Sequence, residues 1–135
     1  MKVLVLTDTD ACCGPMAAAF LRDYSPSLDV VSAGEKPLQS IDPMVVEVMR
    51  ESLINLEAYL PLGMEKVDEA DFDVVYRCPE KECPKTMEGY RELRDYIKNE
   101  AFLFFREMEK QQHLFITSCP NRFRISRVTS CQANA

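Results

Sequence analysis

The side chains of this chain that could do chemistry gather in a few places. Asp8, Thr9 and Asp10 follow directly on the apolar run KVLVLT, and Ala11, Cys12, Cys13 and Gly14 complete a short loop. Carboxylates at i and i+2 can face one cation, which makes Asp8 and Asp10 candidates for holding Mg²⁺. The plainer reading is that both cap the loop and the helix that follows, and on it no metal and no cofactor is expected. Six cysteines are present, Cys12, Cys13, Cys78, Cys83, Cys119 and Cys131. His113 is the single histidine, which nearly excludes Cys/His catalysis and His-rich metal sites.

The elements that must position these groups can be read from period and punctuation. Residues 2–7 are a short, β-branched-rich apolar run, expected as a buried strand. After the loop, Pro15 stands where a helix begins, and MAAAFLRDY continues it until Ser25-Pro26. Residues 28–33 read as a second strand ended by Gly34. Asp42-Pro43 supplies an N-cap and first helical residue for a helix whose stripe is Val45, Val48, Met49 and Ser52. Pro61–Asp68 is expected to be a short helix or loop, and residues 72–77 a third strand. Thr86 can cap a long helix with the stripe Tyr90, Leu93, Ile97, Ala101, Phe104 and Met108. His113–Ser118 is read as a possible fourth strand. The alternation implies βαβ units and a small parallel sheet with helices on both faces, a three-layer α/β fold.

The length of 135 residues fits one domain, and 47% hydrophobic with 28% charged residues is ordinary for a globular protein. Residues 1–112 are taken as the domain and 113–135 as a C-terminal extension, whose tail carries Arg122, Arg124 and Arg127. The net charge of -6 argues against nucleic acid or an anionic membrane as partner. No run approaches the roughly 20 apolar residues that span a bilayer. The start MKVLVLTDTD does not resemble a secretory signal, so a cytoplasmic location with reduced thiols is expected. A protein partner is compatible with the Phe102–Phe105 run, as is a weak homodimer, with a monomer the alternative.

Several motifs in order resemble the low-molecular-weight tyrosine phosphatases and the related thioredoxin-linked arsenate reductases. In that family the first strand runs into a loop with a cysteine, five residues and an arginine, then Ser-Pro-Met-Ala and a helix. Here Pro15, Met16 and Ala17 fit, and Cys12 matches a second cysteine of that loop. Ser32-Ala33-Gly34 ends the second strand as the family's motif does. Asp42 to Glu51, then Ile54-Asn55-Leu56, Phe72 to Val75 and Tyr90 to Ile97 continue the likeness to about residue 110.

The departures fall on the chemistry. Thr7 stands at the family's nucleophilic cysteine and Cys13 at its arginine. The segment that would carry the acidic Asp-Pro pair is missing between Cys83 and Tyr90. A threonine hydroxyl has no ionisation near neutral pH comparable to that of a thiol in this setting, and the bidentate arginine contact is gone. Asp8 and Asp10, inside the loop, are expected to repel a bound dianion by several kcal/mol at an effective dielectric near 20. The favoured expectation is therefore a catalytically inactive family member with a binding or regulatory role, retaining Asp8, Thr9, Asp10, Ala11, Cys12 and Gly14 as a remnant of the phosphate loop.

Two enzymatic alternatives stay open. Cys78-Pro79 to Cys83-Pro84 resembles the resolving segment of the arsenate reductases. That implies a cluster of Cys12, Cys13, Cys78 and Cys83 acting as a dithiol switch or holding structural Zn²⁺. The vicinal pair Cys12-Cys13 is poorly shaped to grip one metal, and the cysteines can equally be small buried hydrophobes. Asp8-Thr9-Asp10 resembles the start of haloacid-dehalogenase-like phosphotransferases, with Asp8 as nucleophile and Asp10 as general acid. Their further acidic pair would have to come from Asp68, Glu69, Asp71 and Asp73.

Overall fold

The computed structural model describes residues 1–78 and 81–118, with side chains described to 111. Strand β1 spans Lys2–Thr7, helix α1 Cys13–Tyr24, β2 Asp29–Gly34, α2 Pro43–Glu51, β3 Val74–Arg77 and α3 Met87–Ser118. The three strands are parallel in the order β2-β1-β3. Lys2 to Thr7 pair with Asp29 to Gly34 on one side, and Val3 to Leu6 with Val74 to Arg77 on the other.

The continuous apolar run of β1 follows from its central place, with both faces covered. Val3 and Val5 join Val30, Val74 and Tyr76 beneath α1, α2 and α3. Leu4 and Leu6 pack with Ala33, Phe72 and Val75 under Met64 and Val67, in and beside two 3₁₀ turns at Met64–Lys66 and Glu69–Asp71. The second layer is thus thinner than the first. On the thick side Tyr76 stacks on Phe104 with ring centroids 4.1 Å apart.

The cap of α2 forms as its sequence dictates: Asp42 accepts from the Met44 amide at 2.9 Å, and Pro43 opens the helix. Thr86 Oγ1 accepts from the Gly89 amide at 3.0 Å at the start of α3. All six residues of the expected α3 stripe are buried. The Phe102–Phe105 run divides: Phe104 is buried, while Phe102 and Leu103 are exposed.

The strand expected over His113–Ser118 does not form, because α3 continues through it. A short apolar run does not distinguish strand from helix by pattern alone, and no glycine or proline interrupts the chain between Gly89 and Pro120. Extending an existing helix also carries no new nucleation cost. Cys119, Cys131 and the tail arginines Arg122, Arg124 and Arg127 lie outside the described residues. Among the described residues no helix is long and apolar enough to cross a membrane.

Candidate functional site

Strand order places β1 between two strands reached in opposite directions, and its C-terminal end is the switch point where open α/β sheets bind ligands. The loop of residues 8–12 sits there. It is held down by the segment that follows β2: Glu35 N donates to Thr7 O at 3.2 Å, Lys36 N to Asp8 O at 2.7 Å, Leu38 N to Thr9 O at 3.1 Å and Asp42 N to Ala11 O at 3.0 Å. In planar trans peptides the amide points opposite its carbonyl. The N–H groups of Asp8, Thr9, Asp10 and Cys12 therefore face away from that segment, as a cradle of backbone donors. Gly34 allows the close approach, since a Cβ there would lie 2.8–2.9 Å from the Asp10 amide nitrogen, the Asp8 carbonyl oxygen and the Thr9 carbonyl carbon.

Thr7 is buried, and its Oγ1 accepts the Asp10 amide at 3.2 Å, so one cradle donor is spent on the protein itself. Gly14, in the first turn of α1, makes room for this hydroxyl, because a Cβ at that position would stand 2.8 Å from Thr7 Oγ1. Cys13 is the first residue of α1 and buried, and its carbonyl accepts from the Cys78 thiol at 3.7 Å. No guanidinium belongs to the loop. Arg77, at the end of β3, instead lines the mouth together with Leu6, Thr7, Asp8, Glu35 and Cys78, around a cavity of about 180 Å³.

Asp10 corrects one expectation. Its backbone is left-handed at φ 52°, a conformation Asp tolerates, and its side chain is fully buried rather than facing a ligand. Oδ2 accepts from the Tyr59 hydroxyl and, at 2.8 Å, from the Leu62 amide, while Oδ1 has no hydrogen-bond partner in the protein. With its proton given to Asp10, Tyr59 accepts from Ser32 Oγ at 2.5 Å. Burial raises the Asp10 carboxyl above its ordinary value, with the Tyr59 and Leu62 hydrogen bonds acting in the opposite sense. The carboxylates at the mouth are therefore Asp8 and Glu35, not Asp8 and Asp10. The pair also diverges, so it does not face one cation.

The further acids proposed for the Asp8-centred phosphotransferase are misplaced. Asp73 accepts from the Lys2 amide at 2.9 Å, at the opposite end of β1 from Asp8, with the strand's length of roughly 17 Å at 3.3 Å per residue between them. Asp68 caps the turn leading into β3, accepting from Ala70 N at 2.9 Å. Glu69 and Asp71 are exposed in the same turn.

The four cysteines expected to cluster are linked by successive contacts, with the Cys12 thiol hydrogen-bonded to Cys13. Cys78 is turned to the Cys13 carbonyl. Cys12 Sγ, an Asp42 carboxylate oxygen and Cys83 Sγ lie within 4.8 Å of one another, and this is the one group of three possible metal ligands among the described residues. Cys12 is buried and Cys83 exposed. A hydrogen bond with Cys13, then burial, then the proximity of Cys13, Cys83 and Asp42 all push the Cys12 thiol above the ordinary thiol range. Asp42 Oδ2 accepts from the Tyr90 hydroxyl at 2.6 Å, and burial together with this bond raises the Tyr90 hydroxyl. Asp42 was legible as a cap, but its place beside Cys12 was not. Tyr59, Glu35 and Arg77 gave no signal in the sequence, because their roles rest on contacts with residues far away in the chain.

Residues 2–101 match the family model described as low molecular weight phosphotyrosine protein phosphatase. No match is found among curated proteins. Solved structures with the same fold include an arsenate reductase in the phosphate binding state, 18% identical over 78% of this chain and 96% of that one, with TM-score 0.67. The YwlE arginine phosphatase from Geobacillus stearothermophilus is 17% identical, covering 82% and 94%, with TM-score 0.68. The tyrosine phosphatase amsI from Erwinia amylovora is 16% identical, covering 75% and 88%, with TM-score 0.67. Three neighbours named for three different activities establish a shared fold and leave the reaction undetermined.

Proposed function

The chain belongs to the low molecular weight phosphotyrosine protein phosphatase family, and we propose that it serves there as a binding or regulatory member without phosphatase chemistry. The observation that carries this reading is the state of Thr7. At the position the resemblance assigns to a nucleophilic thiolate stands a buried hydroxyl already accepting the Asp10 amide. It has no imidazole near it among the described residues, and the mouth it shares carries the carboxylates of Asp8 and Glu35, the Arg77 guanidinium and the Cys78 thiol. A hydroxyl becomes a nucleophile only with a base to take its proton. Asp8 and Glu35 against Arg77 leave the mouth net negative, which opposes an incoming phosphate dianion. The backbone cradle survives, but without the charge that would make it a strong anion site.

A thermal-shift titration with inorganic phosphate and arsenate on the reduced protein tests this directly. No change in melting temperature to low millimolar ligand is expected. A concentration-dependent rise, lost when Thr9 is replaced by proline to remove one cradle amide, would end the reading.

A second reading has a specific observation behind it. Cys12 Sγ and Cys83 Sγ are close enough for modest movement of the exposed Cys83 to join them. In such a thiol redox protein both thiols would lose their protons and pass two electrons to a disulfide or peroxide oxidant, forming one S–S bond. Loss of two free thiols on mild oxidation, abolished by Cys83→Ser in a background lacking Cys119 and Cys131, is the outcome that favours it over the first.

A further inference from the structure

We infer that Cys12, Asp42 and Cys83 form a binding site for a borderline-soft divalent cation, Zn²⁺ being the best fit, that clasps the loop to the starts of α2 and α3. This goes beyond the non-catalytic reading and does not depend on it.

The three donors come from three separate segments: the residue before α1, the N-cap of α2, and the stretch of residues 81–86 before α3. Each contributes one ligand atom, and all three atoms lie within 4.8 Å of one another. A tetrahedral zinc site with bonds of about 2.3 Å to sulfur and 2.0–2.2 Å to oxygen separates its ligands by roughly 3.5–3.8 Å. Closing by at most about 1 Å brings the three atoms to that spacing. Cys83 is exposed and sits outside any helix or strand, so it is the ligand able to move.

The carboxylate is already oriented. Asp42 Oδ1 accepts from the Met44 amide at 2.9 Å and Oδ2 from Tyr90 at 2.6 Å, partners that fix a metal-ligating carboxylate in place. The donor set of two sulfurs and one oxygen suits zinc rather than Mg²⁺ or Ca²⁺, which take oxygen ligands. Three protein ligands leave the fourth position to water on the exposed side of Cys83.

The same geometry weighs against these groups acting as a dithiol alone. A carboxylate contributes nothing to an S–S bond, whereas it is a ready third ligand to a cation. A dication favours all three anionic ligands at once. Binding is then M²⁺ displacing two thiol protons to solvent, with no oxidant or reductant involved.

The test uses the full chain carrying Cys119→Ser and Cys131→Ser, reduced and freed of metal, titrated with Co²⁺ and then with Zn²⁺. Cobalt should bind at one equivalent with the visible bands of tetrahedral coordination and a near-ultraviolet thiolate-to-metal band, and Zn²⁺ should displace it. Cys83→Ser, an exposed substitution that leaves the core untouched, should weaken binding roughly a hundredfold or more, and Tyr90→Phe about tenfold. Cys78→Ser should retain the spectrum. An absence of thiolate–cobalt absorption, or absorption that survives Cys83→Ser, would overturn the inference. Circular dichroism of each variant separates loss of the site from loss of the fold.

Discussion

Replacing Asp10 by asparagine should stabilise this protein, although it removes a buried, hydrogen-bonded carboxylate from the functional loop. The sign follows from its surroundings. Oδ2 has two donors, the Tyr59 hydroxyl and the Leu62 amide, but Oδ1 is buried without a partner in the protein, and burial dominates the pull of the hydrogen bonds. The neutral carboxyl is therefore favoured in the fold relative to the unfolded chain. Asparagine keeps a carbonyl acceptor for Tyr59 and Leu62, puts its NH2 in the unpartnered position of Oδ1, discards the charge, and accommodates the left-handed backbone at φ 52° as readily as aspartate. One unpartnered buried polar atom is exchanged for another, so the gain comes from no longer burying a charge; about 1 kcal/mol at pH 7 is expected, or roughly 3–5 °C in melting temperature. Asp10→Ala behaves oppositely. It loses both hydrogen bonds and places alanine in a left-handed conformation, for a loss of about 3–4 kcal/mol.

The pH dependence provides an independent check. A carboxyl raised in the fold binds more protons there than in the unfolded chain, between its ordinary value of 3.8 and its folded value. Stability contributed by this group thus falls as pH rises through that window and is lowest above it. Urea unfolding of wild type and Asp10→Asn from pH 7 to pH 4 should show their difference shrinking as pH falls. Should Asp10→Asn instead lose more than about 1 kcal/mol at pH 7, the charge is compensated in the fold and the reasoning about Oδ1 is wrong.

Other substitutions probe what holds the site. Gly34→Ala should cost about 2–3 kcal/mol and displace the loop, since its Cβ would meet backbone atoms of Asp8, Thr9 and Asp10, which side-chain motion does not relieve; chemical unfolding and amide chemical shifts of residues 8–12 measure both effects. Phe104→Ala should lose about 3–5 kcal/mol in urea unfolding by emptying the space stacked on Tyr76. Glu51 is held down to about 2 by Arg91 and then Arg94. Its contribution is present above the ordinary carboxylate value and is lost as pH falls from about 4.5 to about 2, so Glu51→Gln should lower stability modestly near neutrality, flatten its pH dependence across that range and match the wild type at the acid end.

What the sequence made legible follows from which interactions are local. β1 and the α3 stripe were readable because burial on both faces of a strand, or along one stripe of a helix, forces a pattern into consecutive residues. The caps at Asp42 and Thr86 were readable because a cap bonds to amides two or three residues on. The end of α3 was misjudged for the same reason: a short apolar run after a long helix has the same local pattern in either conformation. The site was legible only in outline. The loop, its altered residues and the involvement of cysteines could be found, but not the inward turn of Asp10, which depends on Tyr59 and Leu62 some fifty residues away. Nor did spacing reveal that Cys83 joins Cys12 through Asp42 while Cys78 turns to the Cys13 carbonyl.

Hydrolysis of an aryl phosphate tests most directly the proposal that this family member retains the loop without the reaction. The reduced wild-type protein and Thr7→Ala are assayed side by side against buffer, from pH 5 to pH 8. Both are expected to match the uncatalysed rate across the range, because position 7 carries a buried hydroxyl that already accepts the Asp10 amide in place of an ionisable thiol. Saturable turnover by the wild type that disappears in Thr7→Ala would contradict it, and would make the buried hydroxyl of Thr7 a nucleophile after all.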